Sequence, residues 1–348
     1  MNNNFYLINN DQVSQSLDML SVIENVEKAY ILKSKKEAGL FPVITHEWIQ
    51  GSKDMDIKSG YIDGDVNIYG LKALTYIEEN QGKGLPALMG IMMIFDSKTG
   101  LLKGILDSRS ITGYRTGAAG GIGSKYLARK DSETLMLVGA GNQAFFNLAA
   151  NILIMENIKK VLVYHYADFN KASAFALDVK ERLQSKIFFR YAGRSNLASK
   201  LNFSIEAVKS PEEAARQADI IVTATPSRSP LIKKEWLKKG VHINCVGADM
   251  EGKQEIESGI FAGARVFVDD IRQAVTLGET EIPVKKGIIR EEDIIGEIGD
   301  VISGKKTGRT SNDDITLFDT TGISLQDLVT AEFLLETAQK NGLKKYEL

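Results

Sequence analysis

One cysteine in 348 residues leaves no room for an intramolecular disulfide and supplies no Cys-based metal cage. A reducing cytoplasm is the expected compartment. The single thiol, Cys245, lies in the apolar run His242-Ile243-Asn244-Cys245-Val246, where a small buried hydrophobe is a plainer reading than a nucleophile. Also missing is any apolar run of the ~20 residues that cross a bilayer. The opening, MNNNFYLINNDQV, lacks the basic-then-apolar order of a signal peptide. Charge of one sign is absent as well: 43 Lys and Arg against 45 Asp and Glu give a formal net charge of −2, so nothing draws the whole molecule to nucleic acid or an anionic membrane. There are no internal repeats, no low-complexity tracts and no HExxH, GxSxG or P-loop pattern, and no metal site is expected.

What is present is the balance of an ordinary globular protein, 43% hydrophobic and 25% charged, in a chain long enough for two domains. The stretch Leu135 to Ala150, LMLVGAGNQAFFNLAA, organises it. An apolar strand, Leu135 to Val138, breaks at Gly139-Ala-Gly141, and an Ala/Leu/Phe-rich helix pattern follows. Gly139 lets the chain turn sharply, Gly141 has no Cβ to block a pyrophosphate, and the helix aims its free N–H groups at the phosphates. Ala144 completes GxGxxA. Alone this pattern is weak, since a structural turn can collect glycines. A second strand at Val161 to Tyr164 and further buried-strand patterns at Ile220 to Ala224, His242 to Val246 and Val266 to Val268 make it a Rossmann unit, spanning 125–307.

Residues 1–124 read as α+β: a strand at Phe5 to Ile8, a helix from Val13 to Ala38 capped by Asp11, and strands at 56–62, 69–74 and 90–96. Lys58 and Lys72 sit inside strand patterns rather than in turns. Alternation can place both on a wet face, the commoner fate of a lysine; with Arg115 they would instead form a cationic pocket for carboxylates. The segment around Arg115, Ile111 to Gly123, is a helix with a small-residue face. Arg109, in the turn-like Asp107-Ser108-Arg109, is the nearer candidate for the surface.

Ligands of open α/β sheets bind beyond the carboxyl ends of strands. There the chain offers Thr225-Pro226-Ser227 and, after the next strand, Gly247-Ala248-Asp249-Met-Glu-Gly252-Lys253-Gln254-Glu255. Asp249 is the best general acid/base, with Lys253 close enough to hold it ionised or to position substrate; the plainer alternative is an N-cap to a helix at 252–255. The run Asp314 to Ile323 and a final helix from Leu325 to Gln339 come last, and segment 308–348 is expected to return to the first domain.

Taken together, Arg115-Thr116-Gly-Ala-Ala, Gly139-Ala-Gly141-Asn142-Gln143-Ala144, the Gly247 to Glu255 stretch, Val268-Asp269-Asp270 and Thr316-Leu317-Phe318-Asp319-Thr-Thr-Gly322 resemble the ornithine cyclodeaminase/μ-crystallin family. The resemblance covers nearly the whole chain. It implies an α/β fold with a Rossmann domain inserted in a discontinuous α+β domain that binds substrate and makes a homodimer. It implies NAD(H) or NADP(H), and chemistry at the C–N bond of an amino or imino acid: an imino acid reductase, an amino acid dehydrogenase or an ornithine cyclodeaminase, with a non-catalytic nucleotide-binding protein as the third alternative. By position, Lys72 and Arg115 match the family's carboxylate-binding pair, and Asp249 the aspartate that handles the substrate nitrogen. The resemblance and the turn together assign the cofactor to Thr116, Gly139, Gly141, Asn142, Gln143, Ala144, Asp168, Thr225, Pro226, Ser227, Val246 and Gly247. Two departures bear on the substrate. Phe41 to His46 lacks an arginine that many members carry. Asp56-Ile57-Lys58-Ser59 is similar to a motif of members that reduce small imino acids, so Lys58 either binds a second carboxylate or replaces that arginine. Asp168, with no arginine beside it in Tyr164-His165-Tyr166-Ala167-Asp168, favours NAD.

Overall fold

Period-2 alternation decides where the lysines lie. In the computed structural model, which describes residues 4–194, 197 and 199–348, one sheet is built from β1 (Asn4–Ile8), β2 (Ala38–Leu40), β3 (Ile44–Ile49), β4 (Lys53–Ile62), β5 (Ile68–Ile77), β6 (Leu88–Asp96), β7 (Leu102–Asp107) and the C-terminal strand Lys345–Glu347. Its order is Lys345–Glu347, β1, β7, β6, β5, β4, β2, with β3 paired to the other half of β4. Lys58, Gly60 and Ile62 share a face of β4; Ile68, Gly70, Lys72 and Leu74 share the matching face of β5, and all are buried.

That face is covered by the helix Ser324–Lys340, and three glycines let it come down. A Cβ on Gly60 would lie 2.8 Å from Ser324 Oγ, one on Gly70 2.9 Å from Leu328 Cδ2, and one on Gly104 2.5 Å from Leu335 Cδ2. The small residues form a furrow across β4, β5 and β7 in which the helix rests. The wet-face alternative for Lys58 and Lys72 is therefore excluded: they point to the side the helix covers.

The helix expected over 13–38 is two helices, α1 (Asn10–Ser16) and α2 (Met19–Ser34). Asn9, not Asp11, caps the first through a capping box with Gln12, and Asp11 sits in its first turn. The chain leaves the first helix at Leu17, with ψ 134, and Asp18 accepts the Ser21 N–H at 2.9 Å to open the second. Ala38 already belongs to β2.

The other sheet is wholly parallel. Its strands are β8 (Thr134–Val138), β9 (Lys160–Tyr164), β10 (Ser204–Val208), β11 (Ile220–Thr223), β13 (His242–Cys245), β15 (Ala264–Val268), β16 (Gly296–Glu297) and β17 (Ile315–Asp319), while β12 (Arg228–Ile232) and β14 (Gln254–Ile256) pair separately. The order β10-β9-β8-β11-β13-β17-β15-β16 is the doubly wound arrangement, reversing between β8 and β11. Every residue of β11 and β13 is buried, as expected of strands covered on both faces.

The chain falls into two units: residues to Leu17 with Glu24–Arg115 and Ile323–Leu348, and Asp18–Ile23 with Thr116–Gly322. The expected boundaries at 124/125 and 307/308 thus move to Arg115/Thr116, within α3 (Arg109–Leu127), and to Gly322/Ile323. Pairing explains both shifts. β17 lies between β13 and β15 rather than returning to the first sheet. The later half of α3 packs on α4 (Asn142–Ile154), so closely that a Cβ on Gly117 would sit 2.4 Å from Phe146 O and one on Gly121 2.9 Å from Ala150 Cβ. Among the described residues no helix is long and apolar enough to cross a membrane.

Candidate active site

The first unit gathers three cations. Lys58 and Lys72 are direct cross-strand partners on β4 and β5, an arrangement of like charges that destabilises a sheet unless something offsets it. Both are buried, as is Arg115 on α3. The offset comes from the first turn of the helix Ser324–Lys340. Asp327 places its carboxylate oxygens 3.1 and 3.0 Å from Lys72 Nζ and accepts from Arg115 Nε at 3.0 Å. Gln326 accepts from Arg115 Nη1 at 3.0 Å and donates to Tyr30 Oη at 2.8 Å. Asp56 stands 3.8 Å from Lys58 Nζ, and its Oδ1 is buried without a hydrogen-bond partner.

These neighbours set the charge states. Burial and the adjacent Arg115 lower the Lys72 ammonium to about 8, with Asp327 working the other way. Burial alone would raise Asp327, but Arg115 and Lys72 outweigh it and hold the carboxylate below its ordinary range. Three buried cations face one fully buried acid, a balance that an anionic ligand would complete. Arg109 takes no part, since its guanidinium is paired with Asp107.

In the second unit β8 runs into Gly139 at φ +117, where a Cβ would lie 2.7 Å from Ala224 O. Only glycine fits there. Gly141 caps α4 with no side-chain hydrogen bond, and a Cβ built on it meets nothing within 4 Å, so the helix N-terminus faces open space. Thr116 Oγ1 and Gln143 Oε1 are buried without hydrogen-bond partners, while Ala144 is packed in the core. An uncapped helix start and a cleared approach fit a dinucleotide's phosphates.

Beyond β11 and β13, Thr225 and Gly247 meet on Glu255: the Thr225 N–H and hydroxyl donate to it at 2.7 Å each, and the Gly247 N–H at 2.9 Å. A Cβ on Gly247 would lie 2.2 Å from Thr225 O, so the two strand ends can approach only because that residue is glycine. Ser227 Oγ donates to Ser229 O, Pro226 is exposed and Val246 is buried. Asp249 follows β13 half-exposed, with Lys253 Nζ 2.6 Å from its Oδ1. The N-cap alternative for Asp249 does not hold, because 254–256 continue as β14 rather than a helix. Asp168 is an N-cap: it begins α5 (Phe169–Lys186) and accepts the Asn170 N–H at 2.9 Å. Cys245 is buried, and burial among Glu279, Asp319 and Glu255 pushes its thiol far up, as an inert core residue requires.

The structure thus brings Lys58, Lys72 and Arg115 together in one unit. It joins Asp249 to Lys253, and Thr225 to Gly247, in the other. Sequence reading missed Asp327 and a set of buried acids. Glu279 accepts the Glu255 and Ile256 N–H groups at 2.9 and 2.8 Å; Asp319 accepts the Thr280 N–H and hydroxyl; Asp269 takes Thr320, Thr321 and Gly322. Burial raises these three acids and Glu255, Asp319 to about 7. The threonines and glycines flanking these acids were the available signal. For Asp327 it was the polar pair Gln326-Asp327 at the start of an otherwise apolar helix face.

Fold and site define an α/β protein with a Rossmann-type dinucleotide turn and a separate cation-lined sheet. The model of the ornithine cyclodeaminase/mu-crystallin family matches residues 7–342, and the chain belongs to that family. An archaeal alanine dehydrogenase, solved as a dimer with bound NAD, superposes with a TM-score of 0.86 at 33% identity, covering 99% of both chains. The Δ1-pyrroline-2-carboxylate reductase of Thermococcus litoralis, solved with NADH and L-proline, gives a TM-score of 0.86 at 30% identity over 97% of this chain and 98% of that one. An iminosuccinate reductase of Paracoccus denitrificans is 31% identical over 325 residues, 93% of each chain.

Proposed function

We propose that this chain is an NAD(P)-dependent oxidoreductase that interconverts a small amino acid and its imine or keto acid. The observation that carries the reading is the buried cluster of Lys58, Lys72 and Arg115 with one fully buried counter-acid, in a chain that also has an open glycine turn at a helix N-terminus. In this reading Lys72 and Arg115 hold the α-carboxylate. Lys58 takes a second carboxylate or adds to the first. Asp249, paired with Lys253, gives or takes the proton as amine and imine interconvert. The nicotinamide, when bound, accepts or supplies the hydride at Cα. Thr116, the Gly139 to Ala144 turn, Thr225 to Ser227 and Val246-Gly247 hold the cofactor.

NAD is the preferred form in this reading, because no arginine stands at the end of β9 to meet a 2′-phosphate. Asp168 already accepts the Asn170 N–H as a helix cap, and its carboxylate keeps further acceptor sites for a ribose hydroxyl. The working unit is a homodimer formed through the sheet of the first unit, where Ile44, Trp48, Ile49, Met89 and Ile91 are exposed. Light scattering on the purified protein checks this, with a monomer as the contrary result. The activity is tested by NADH and NADPH oxidation with ammonia and a panel of 2-keto acids. Oxidation with one of them supports the reading. Ammonia release from ornithine without net NADH would replace it with cyclodeamination, and cofactor binding without turnover would replace it with a binding role.

A further inference from the structure

The buried carboxylate at the centre of the cation cluster belongs to no expected role. We propose that Asp327 is a positioning residue: from the first turn of the C-terminal helix it orients Lys72 and Arg115 toward an anionic ligand. The proposal rests on the reading that this cluster binds a substrate carboxylate.

Three observations carry it. First, one carboxylate serves both cations, through Lys72 Nζ at 3.1 Å and Arg115 Nε at 3.0 Å, so the two donor groups are referenced to the same atom, Oδ1. Secondly, the turn that carries it cannot drift. Ser324 and Leu328 lie over Gly60 and Gly70 with no space for a Cβ between, and Gln326 is tied to both Arg115 Nη1 and Tyr30 Oη. Thirdly, the contacts leave donors over on both cations: an ammonium carries three N–H groups and a guanidinium five, more than Asp327 and Gln326 accept here.

The charged groups facing Lys72 are Arg115 from α3, Lys58 and Asp56 from β4, and Asp327 from the C-terminal helix; β6 presents Met92 opposite it. Arg115 and Lys58 lower the ammonium's proton affinity, and Asp327 is the larger of the two acids that raise it. Without the Asp327 charge, burial and two cations act on Lys72 with only Asp56 against them. Lys72 then loses its proton nearer neutrality.

The test is steady-state kinetics of the full-length protein with the keto acid it uses, ammonia and saturating NADH, from neutral to alkaline pH, on the wild type, Asp327→Asn, Asp327→Glu and Lys72→Met. The expected result for Asp327→Asn is a raised KM for the keto acid that climbs by about tenfold per pH unit, starting from a lower pH than in the wild type. The NADH dissociation constant should stay unchanged by fluorescence titration. Asp327→Glu should raise KM while keeping the wild-type pH profile. If Asp327→Asn fails to fold, Asp327→Glu alone decides: an unchanged KM overturns the proposal and a raised one supports it. An Asp327→Asn profile that tracks the wild type, with KM raised in Lys72→Met, overturns the role of Asp327 and leaves the carboxylate reading standing. A wild-type KM in Lys72→Met overturns both.

Discussion

Two buried clusters, one in each unit, carry charge in opposite ways. The first buries cations, Lys58, Lys72 and Arg115, around one acid. The second buries acids, Glu255, Glu279, Asp319 and Asp269, and meets them with backbone N–H groups and threonine hydroxyls rather than with cations. The acids are raised toward their neutral forms and, apart from the unpartnered Asp319 Oδ1, accept from within the strand ends, so they read as braces for loops. Lys72 and Arg115 keep donors in excess. The difference teaches where a ligand is needed: buried polar groups that satisfy each other hold the fold, and those left with spare donors await something from outside.

The comparison can be broken at several points. The largest effect is expected outside both clusters, at the half-exposed Asp249: Asp249→Asn should lower kcat by about 10²–10⁴-fold with NADH affinity intact, and unchanged turnover in a stopped-flow assay would remove it from the chemistry. Lys72→Met is next. It leaves Arg115 and Asp327 as a balanced pair, so the protein should fold, and kcat/KM for the keto acid should fall by roughly a hundredfold, the loss of about 2–3 kcal/mol of charge-assisted binding. Gly104→Ala tests whether the helix must rest on the sheet. Its Cβ would meet Leu335 Cδ2 at 2.5 Å, and denaturant unfolding should show a loss of about 1–3 kcal/mol.

Asp319→Asn probes the other side of the comparison. The folded-state pKa of Asp319, about 7, lies above its ordinary value of 3.8, so its contribution to stability is full in acid and is lost as pH rises between those values. The Asn variant should therefore gain stability relative to the wild type by up to about 1.4 kcal/mol per pH unit across that window. Parallel stability curves would show that this acid is ionised in the fold.

The glycine turn, the parallel strands and the place of Asp249 just past a strand end were legible because each depends on local pattern. Alternation put Lys58 and Lys72 in register with Gly60 and Gly70, but nothing local says which face of a sheet a distant helix will cover. The place of β17 was hidden for a related reason: Ile315 to Asp319 reads as a strand, but its seat between β13 and β15 is a matter of pairing across the chain. Asp168 falls four residues past β9, where its carboxylate serves the helix that follows. Asp327 was invisible because its partners are 255 and 212 residues away.

The most direct measurement is NADH oxidation with ammonia and pyruvate, glyoxylate or oxaloacetate, run in parallel on the wild type and Lys72→Met. The account predicts oxidation with one of these acids, weakened in the variant through KM. Equal activity in the two proteins, or ammonia released from ornithine with no NADH consumed or formed, would contradict it.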